Sequence, residues 1–139
     1  MEKQIKIIVK ILLLAFLFSA LAGCNPEGDE DFSLPRDRYK GSWFCQEDAD
    51  PIGYYASITP DPYNSTQVII DNFFNLNGTV TAIVTEGTIT VNNQVMKGIP
   101  GTYWCEGYGT LTKNKGEYVI HWSKYGANND ETTSTYTKQ

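Results

Sequence analysis

The sequence predicts an all-β protein: an antiparallel meander of about eight short strands closed into a barrel, with a β-sandwich as the alternative. Three observations carry this. Apolar and polar residues alternate with a period of two through most of the chain after residue 38, as in strands with one buried face. Clusters of Gly, Pro, Asn and Asp interrupt that pattern so that strand starts recur roughly every 10 to 15 residues, a spacing that suits a barrel or a sandwich. No stretch after Cys24 sustains a helical period.

Taken in order, Lys40–Glu47 is the first expected strand and Gly53–Thr59 the second. The segment Thr59-Pro60-Asp61-Pro62-Tyr63-Asn64-Ser65 is dense in turn formers. Gln67–Phe74 follows, with Val68, Ile70 and Asn72 on one face and Ile69, Asp71 and Phe73 on the other. Asn77-Gly78 is a hairpin signal. Thr79–Thr85 alternates again, Glu86-Gly87 turns into Thr88–Val91, and Asn92-Asn93 reads as another turn. Gly101–Thr112 is long, and Gly107 and Gly109 invite a bulge or bend. Asn114-Lys115-Gly116 turns into Glu117–Ser123, and Gly126-Ala127-Asn128-Asn129-Asp130 leads to the last strand, Thr132–Thr137.

Gly41-Ser42-Trp43, a Gly-x-Trp on the first strand, resembles the opening of lipocalins and related calycin-like barrels, as do the number and order of strands. That resemblance implies a basic residue on the last strand covering the tryptophan. Lys138 lies just beyond the expected last strand and Lys124 precedes it.

The first residues read as an address. Lys3, Lys6 and Lys10 precede an apolar run, Ile11–Ala22, broken only by Ser19. A basic start, a short apolar stretch and small residues at a cut describe a secretory signal, 1–23, rather than a membrane span of roughly 20 apolar residues. The run ends Leu21-Ala22-Gly23-Cys24, which resembles the lipobox of bacterial lipoproteins. The resemblance implies that Cys24 carries the acyl chains and anchors the protein to a membrane. Asn25 stands where an Asp would resemble an inner-membrane retention signal, so the outer membrane is expected. Glu27-Gly28-Asp29-Glu30-Asp31 resembles the acidic surface-export signal of Bacteroidetes-type lipoproteins; read as charge alone, it is a solvated tether, 24–38. The domain 39–139 resembles the small calycin-like lipoproteins of the same group.

Removing residues 1–23 takes away three of 11 basic and one of 16 acidic side chains, which leaves a net charge of −7. This argues against nucleic acid, whose binding needs clustered Lys and Arg. With Cys24 committed to lipid, Cys45 and Cys105 form an even pair in an oxidising compartment, in the matching settings Trp43-Phe44-Cys45 and Tyr103-Trp104-Cys105. A disulfide is expected, the alternative being two buried thiols. No metal or cofactor is expected: His121 is the one histidine, and no two-residue cysteine spacing occurs.

Catalysis finds little support. His121 lies between Ile120 and Trp122 and faces water if they face the core; neither a nucleophile elbow nor a phosphate loop occurs. Asp48, Asp50, Asp61, Asp71, Glu86, Glu106 and Glu117 could supply a glycosidase-like pair, but turns and strand faces account for them better; Asp71 in an apolar strand is structural or part of a site. The aromatics stand out. Residues two apart on a strand share a face, so Trp43 goes with Cys45 and Tyr103 with Cys105, expected inside. Phe44, Trp104 and Tyr108 then form an outward patch for a flat sugar or a protein contact. The expectation is a non-catalytic, surface-exposed binding module for a glycan or small apolar ligand. The alternatives are an accessory envelope protein that contacts other proteins and, third, a small hydrolase.

Overall fold

A computed structural model describes residues 34–139; the signal segment, Cys24 and the acidic run lie outside these residues. Eight strands follow in chain order: β1 (Gly41–Glu47), β2 (Asp50–Pro60), β3 (Gln67–Asp71), β4 (Thr79–Val84), β5 (Thr88–Lys97), β6 (Thr102–Asn114), β7 (Glu117–Ala127) and β8 (Asp130–Lys138). Each pairs antiparallel with the next, and β8 pairs with β1, so the sheet is one closed barrel and not a sandwich.

Alternation sets the inside. Trp43 and Cys45 of β1, Val68 and Ile70 of β3, Val80, Ala82 and Val84 of β4, and Ile120 and Trp122 of β7 are buried. Their chain neighbours face outward, His121 among them. Large rings fill the interior: Phe73, Trp122, Tyr125 and Tyr136 meet at ring-centroid separations of 4.6 to 6.0 Å. Gly107 and Gly109 face inward on β6, Gly107 against the Trp122 ring and Gly109 against Ile120 and Ile89. A Cβ on Gly107 would lie 3.0 Å from the Trp122 ring. The bend expected near these glycines is a register shift between Tyr108 and Gly109.

Three details differ from the sequence reading. Asn92-Asn93 is not a turn; β5 runs through it with a register shift between Val91 and Gln94, because the ladder to β6 resumes at Gln94↔Cys105. β3 stops at Asp71: Asn72 turns into the left-handed region at φ 62°, and Phe73 is swung into the core instead of sharing the outward face of Asp71. Asp71 itself faces outward and accepts hydrogen bonds from Thr79 and Ser57, a structural role. β8 extends through Lys138, so that lysine belongs to the strand. Its partner in register is Trp43.

The end of the expected tether is part of the domain. Pro35–Arg38 form a 3-10 turn against one end of the barrel. Arg36 donates to the carbonyls of Asp61 and Asn64 at 2.6 and 3.0 Å, and the buried Tyr39 hydroxyl lies 2.8 Å from the Thr88 carbonyl. This turn closes the end of the barrel that holds the β2–β3 and β4–β5 connections.

Candidate functional site

The outer wall of β6 carries Trp104, Glu106 and Tyr108 in alternate positions. Trp104 is 59 % exposed and Tyr108 44 %. At roughly 3.4 Å per residue their Cα atoms are about 14 Å apart along the strand, with Glu106 between them. The neighbouring strands complete the surface. A register shift between Trp122 and Tyr125 of β7 turns both Ser123 and Lys124 outward, and the Ser123 hydroxyl donates to the Tyr108 carbonyl at 3.2 Å. Lys124 lies opposite Tyr108, while Glu106, Gly126 and Glu131 stand in one row across β6, β7 and β8.

Gly126 is required in that row. A Cβ there would sit 2.2 Å from the Asp130 carbonyl oxygen. The first residues of β8 therefore come close over Gly126. They leave a groove of about 250 Å³ lined by Glu106, Gly126, Asn128, Asn129, Asp130 and Glu131. Asn128, in the left-handed region at φ 57°, fixes this turn against Trp104: its side-chain oxygen accepts from the Trp104 backbone N–H at 2.9 Å, and its own N–H donates to the Trp104 carbonyl at 2.6 Å.

Two carboxylates of the groove, Glu106 and Glu131, pair with Lys124. Its ammonium lies 2.8 Å from Glu106 and 3.7 Å from Glu131. The hydrogen bond to Glu106 raises its pKa, and the charge of Glu131 adds to this. Two carboxylates thus converge on one ammonium beside an exposed tryptophan. A hydrolytic pair needs one carboxylic acid kept protonated in dry surroundings; here both carboxylates face solvent.

The remaining expected site residues are placed as follows. Trp43 is fully buried, Tyr103 is half-buried against the core, and both cysteines point inward. The expected disulfide is not formed: Cys45 and Cys105 are free thiols on β1 and β6, strands that β7 and β8 separate. The same separation takes Phe44 out of the Trp104 patch. Its ring lies over Gly53, where a Cβ would clash at 2.1 Å, and packs edge-on against Tyr55 at 5.3 Å. With the exposed Tyr55 it forms a second, separate outer patch.

A second groove, of about 230 Å³, is lined by Gln46, Glu47, Asp48, Pro51 and Thr135. Glu47 leads inward from it. Its carboxylate accepts from Tyr54 at 3.1 Å; the Tyr54 hydroxyl meets that of Tyr125, which meets that of Tyr136, and Tyr125 also accepts from the Phe74 N–H at 2.6 Å. Burial raises the pKa of Glu47, the Tyr54 hydrogen bond opposes this, and the Asp50 charge reinforces it. Burial also holds Tyr125 and Tyr136 protonated, well above the ordinary phenol value.

Comparison of the chain with known protein families, with curated proteins and with solved structures gives no match. Among the described residues, no group of three or more His, Cys, Asp or Glu side chains is placed to hold a metal ion, and no helix is long and apolar enough to cross a membrane.

Sequence reasoning singled out Trp104 and Tyr108 and missed Lys124, Gly126, Asn128 and Glu131. Their part depends on the one-residue shift in β7 and on the register of three strands. The one sequence signal for them is the turn-forming run Gly126–Asp130, which read as a connection.

Proposed function

We propose that this chain is an outer-membrane lipoprotein, lipid-anchored at Cys24 and exposed on the cell surface, whose barrel is a non-catalytic glycan-binding module. The basic and apolar lead and the segment Leu21-Ala22-Gly23-Cys24 support the address. The observation that carries the binding reading is the exposed Trp104 ring beside a polar groove. An aromatic face stacks on the apolar face of a sugar ring, while carboxylate and amide groups take up its hydroxyls. The interior is occupied by Trp43, Phe73, Trp122, Tyr125 and Tyr136. This favours a glycan on the outer wall over a small apolar ligand inside.

The test is calorimetric titration of the purified protein with a panel of oligosaccharides, repeated for Trp104→Ala and Tyr108→Ala. Binding that falls at least tenfold in Trp104→Ala, with no reducing ends released on prolonged incubation, is the expected outcome. Binding that survives in both variants would move the site elsewhere, and steady release of reducing ends would make the protein a hydrolase.

A second reading rests on the other patch, Phe44 and Tyr55. Its apolar character suits a protein contact in the envelope. Pull-down of envelope proteins that is lost in Tyr55→Ser but kept in Trp104→Ala would favour it.

A further inference from the structure

The charges of the barrel are sorted between its two ends. The chain enters at the end closed by Pro35–Arg38, which also holds the β2–β3, β4–β5 and β6–β7 connections and the end of β8. Arg36, Arg38, Lys40, Lys113, Lys115 and Lys138 lie there, against Asp37, Asp61, Glu86 and Glu117. Toward the opposite end lie Glu47, Asp48, Asp50, Asp71, Glu106, Asp130 and Glu131, against Lys97 and Lys124. Both grooves and Trp104 lie toward that end too. A protein that is negative as a whole therefore has one end with an excess of cations. Arg36 and Arg38 donate to the carbonyls of Asp61, Asn64 and Glu86, which hold both guanidinium groups there without cancelling their charge. Lys40, Lys113 and Lys115 are exposed.

The same end presents Tyr63, which is 97 % exposed. Arg36 clamps its loop on both sides, through the Asp61 and Asn64 carbonyls, and the Asp61 side chain accepts the Tyr63 N–H at 2.8 Å. A fixed loop thus holds a ring out in solvent beside a set of cations. Tyrosine is favoured at membrane–water interfaces, where its ring meets the acyl boundary and its hydroxyl the headgroups. Lysine and arginine are attracted to an anionic bilayer surface. The tether leaves from this end as well. Nine residues separate Cys24 from Leu34. At about 3.3 Å per residue they reach roughly 33 Å, enough for the barrel either to lie on its side or to stand. The charges of the barrel then decide between the two. The acidic run in residues 27–31 places more negative charge between barrel and bilayer, which attracts the cationic end and repels the other.

We propose that the barrel docks upright on an anionic phospholipid surface, through Tyr63 and the cations around Arg36, so that Trp104 and both grooves face away from the membrane. This rests on the lipid anchor at Cys24 and is independent of the glycan reading.

The experiment uses the purified, lipidated protein in vesicles of mixed phosphatidylcholine and phosphatidylglycerol, with headgroup spin-labelled lipid as quencher. Trp104 reports on one end in the parent protein. Tyr63→Trp in a Trp104→Phe background reports on the other, and the buried Trp43 and Trp122 give both the same background. Spin-labelled lipid should quench the Tyr63→Trp reporter several-fold more than Trp104, and aqueous acrylamide should show the reverse order. The difference should shrink in pure phosphatidylcholine and at high salt, where the charges are screened. Lys40→Glu combined with Lys115→Asp reverses two exposed charges and should abolish the difference at an unchanged melting temperature; aspartate tolerates the left-handed backbone of Lys115. Equal lipid quenching of the two reporters, stronger quenching of Trp104, or a difference untouched by both salt and that pair of substitutions would each overturn upright docking and leave the anchor standing. Protection of the Tyr63→Trp reporter from acrylamide in detergent alone, growing with protein concentration, would give this end to a second copy of the chain instead. Protein that fails to sediment with the vesicles, as Cys24→Ala should, would overturn the anchor and the docking together.

Discussion

The ammonium of Lys138 stands 5.9 Å from the centroid of the Trp43 ring and donates to the Arg38 carbonyl at 3.0 Å. The Trp43 indole N–H donates to the Tyr39 carbonyl at 2.8 Å. One cation and one indole thus join the last strand, the first strand and the turn that closes the barrel end. Lys138→Met keeps the apolar stem and removes the charge. It should cost about 0.5–1 kcal/mol, the range for a partly exposed cation–π contact. A urea melt measures this, and a loss that persists unchanged in a Trp43→Leu background would assign it to the Tyr118 ring, 5.3 Å from the same ammonium, or to the Arg38 carbonyl instead of Trp43.

The two tryptophans on opposite faces should behave oppositely. Trp43→Ala truncates a fully buried side chain and should cost about 3–5 kcal/mol. Trp104→Ala removes a mostly exposed ring and should change stability by no more than about 0.5 kcal/mol. Urea melts of the two variants give the comparison; the reverse order would exchange the faces.

Cys45 and Cys105 should be unreactive in the folded protein. Burial raises the Cys45 thiol to about 12 and the Cys105 thiol to about 11, so little thiolate exists at neutral pH. Alkylation at pH 8 without reductant, read by mass spectrometry of the two peptides, should leave both unmodified in native protein and modify both in urea. A peptide pair still linked and unmodified in urea would restore the bridge.

Glu47 gives the stability a pH dependence of defined sign. Its folded pKa is raised above the ordinary value of 4.5, so in the window above 4.5 the folded state holds more of its proton than the unfolded state does. Stability contributed at this site is therefore greatest below that window and falls as pH rises through it. Glu47→Gln keeps an acceptor for Tyr54 and removes the partly buried charge. Its melting temperature should exceed the parent's at pH 7, and the gap should close at pH 4. An equal gap at both values would point to packing and not to charge.

Lipidation of Cys24 predicts that cells fed labelled palmitate mark the parent protein and not Cys24→Ala. Equal labelling of the two would remove the lipid anchor from the proposed function.

The strand pattern was legible because alternation needs nothing beyond the chain itself: Val80, Ala82 and Val84 point inward wherever β4 sits. Events that depend on a neighbouring strand were not legible. Asn92-Asn93 carries turn chemistry, yet the pairing to β6 draws it into β5 as an irregularity. Phe44 and Trp104 both face outward as expected, but only closure shows that β7 and β8 lie between them. The cysteines share a local setting, and that likeness says nothing of the two strands that separate β1 from β6.

Closure also gives the barrel a seam. Every pairing except β8 with β1 joins strands adjacent in sequence, so each can form by the local folding back of a hairpin. The seam instead brings together the two ends of the domain, with Trp43 opposite Lys138 and Gln139 donating to the Ser42 carbonyl. The chain-closure entropy of the fold is concentrated there. Kinetically the barrel is a ribbon with a single clasp. The residues of that clasp, more than any hairpin, set how often the cylinder opens and how soon it shuts.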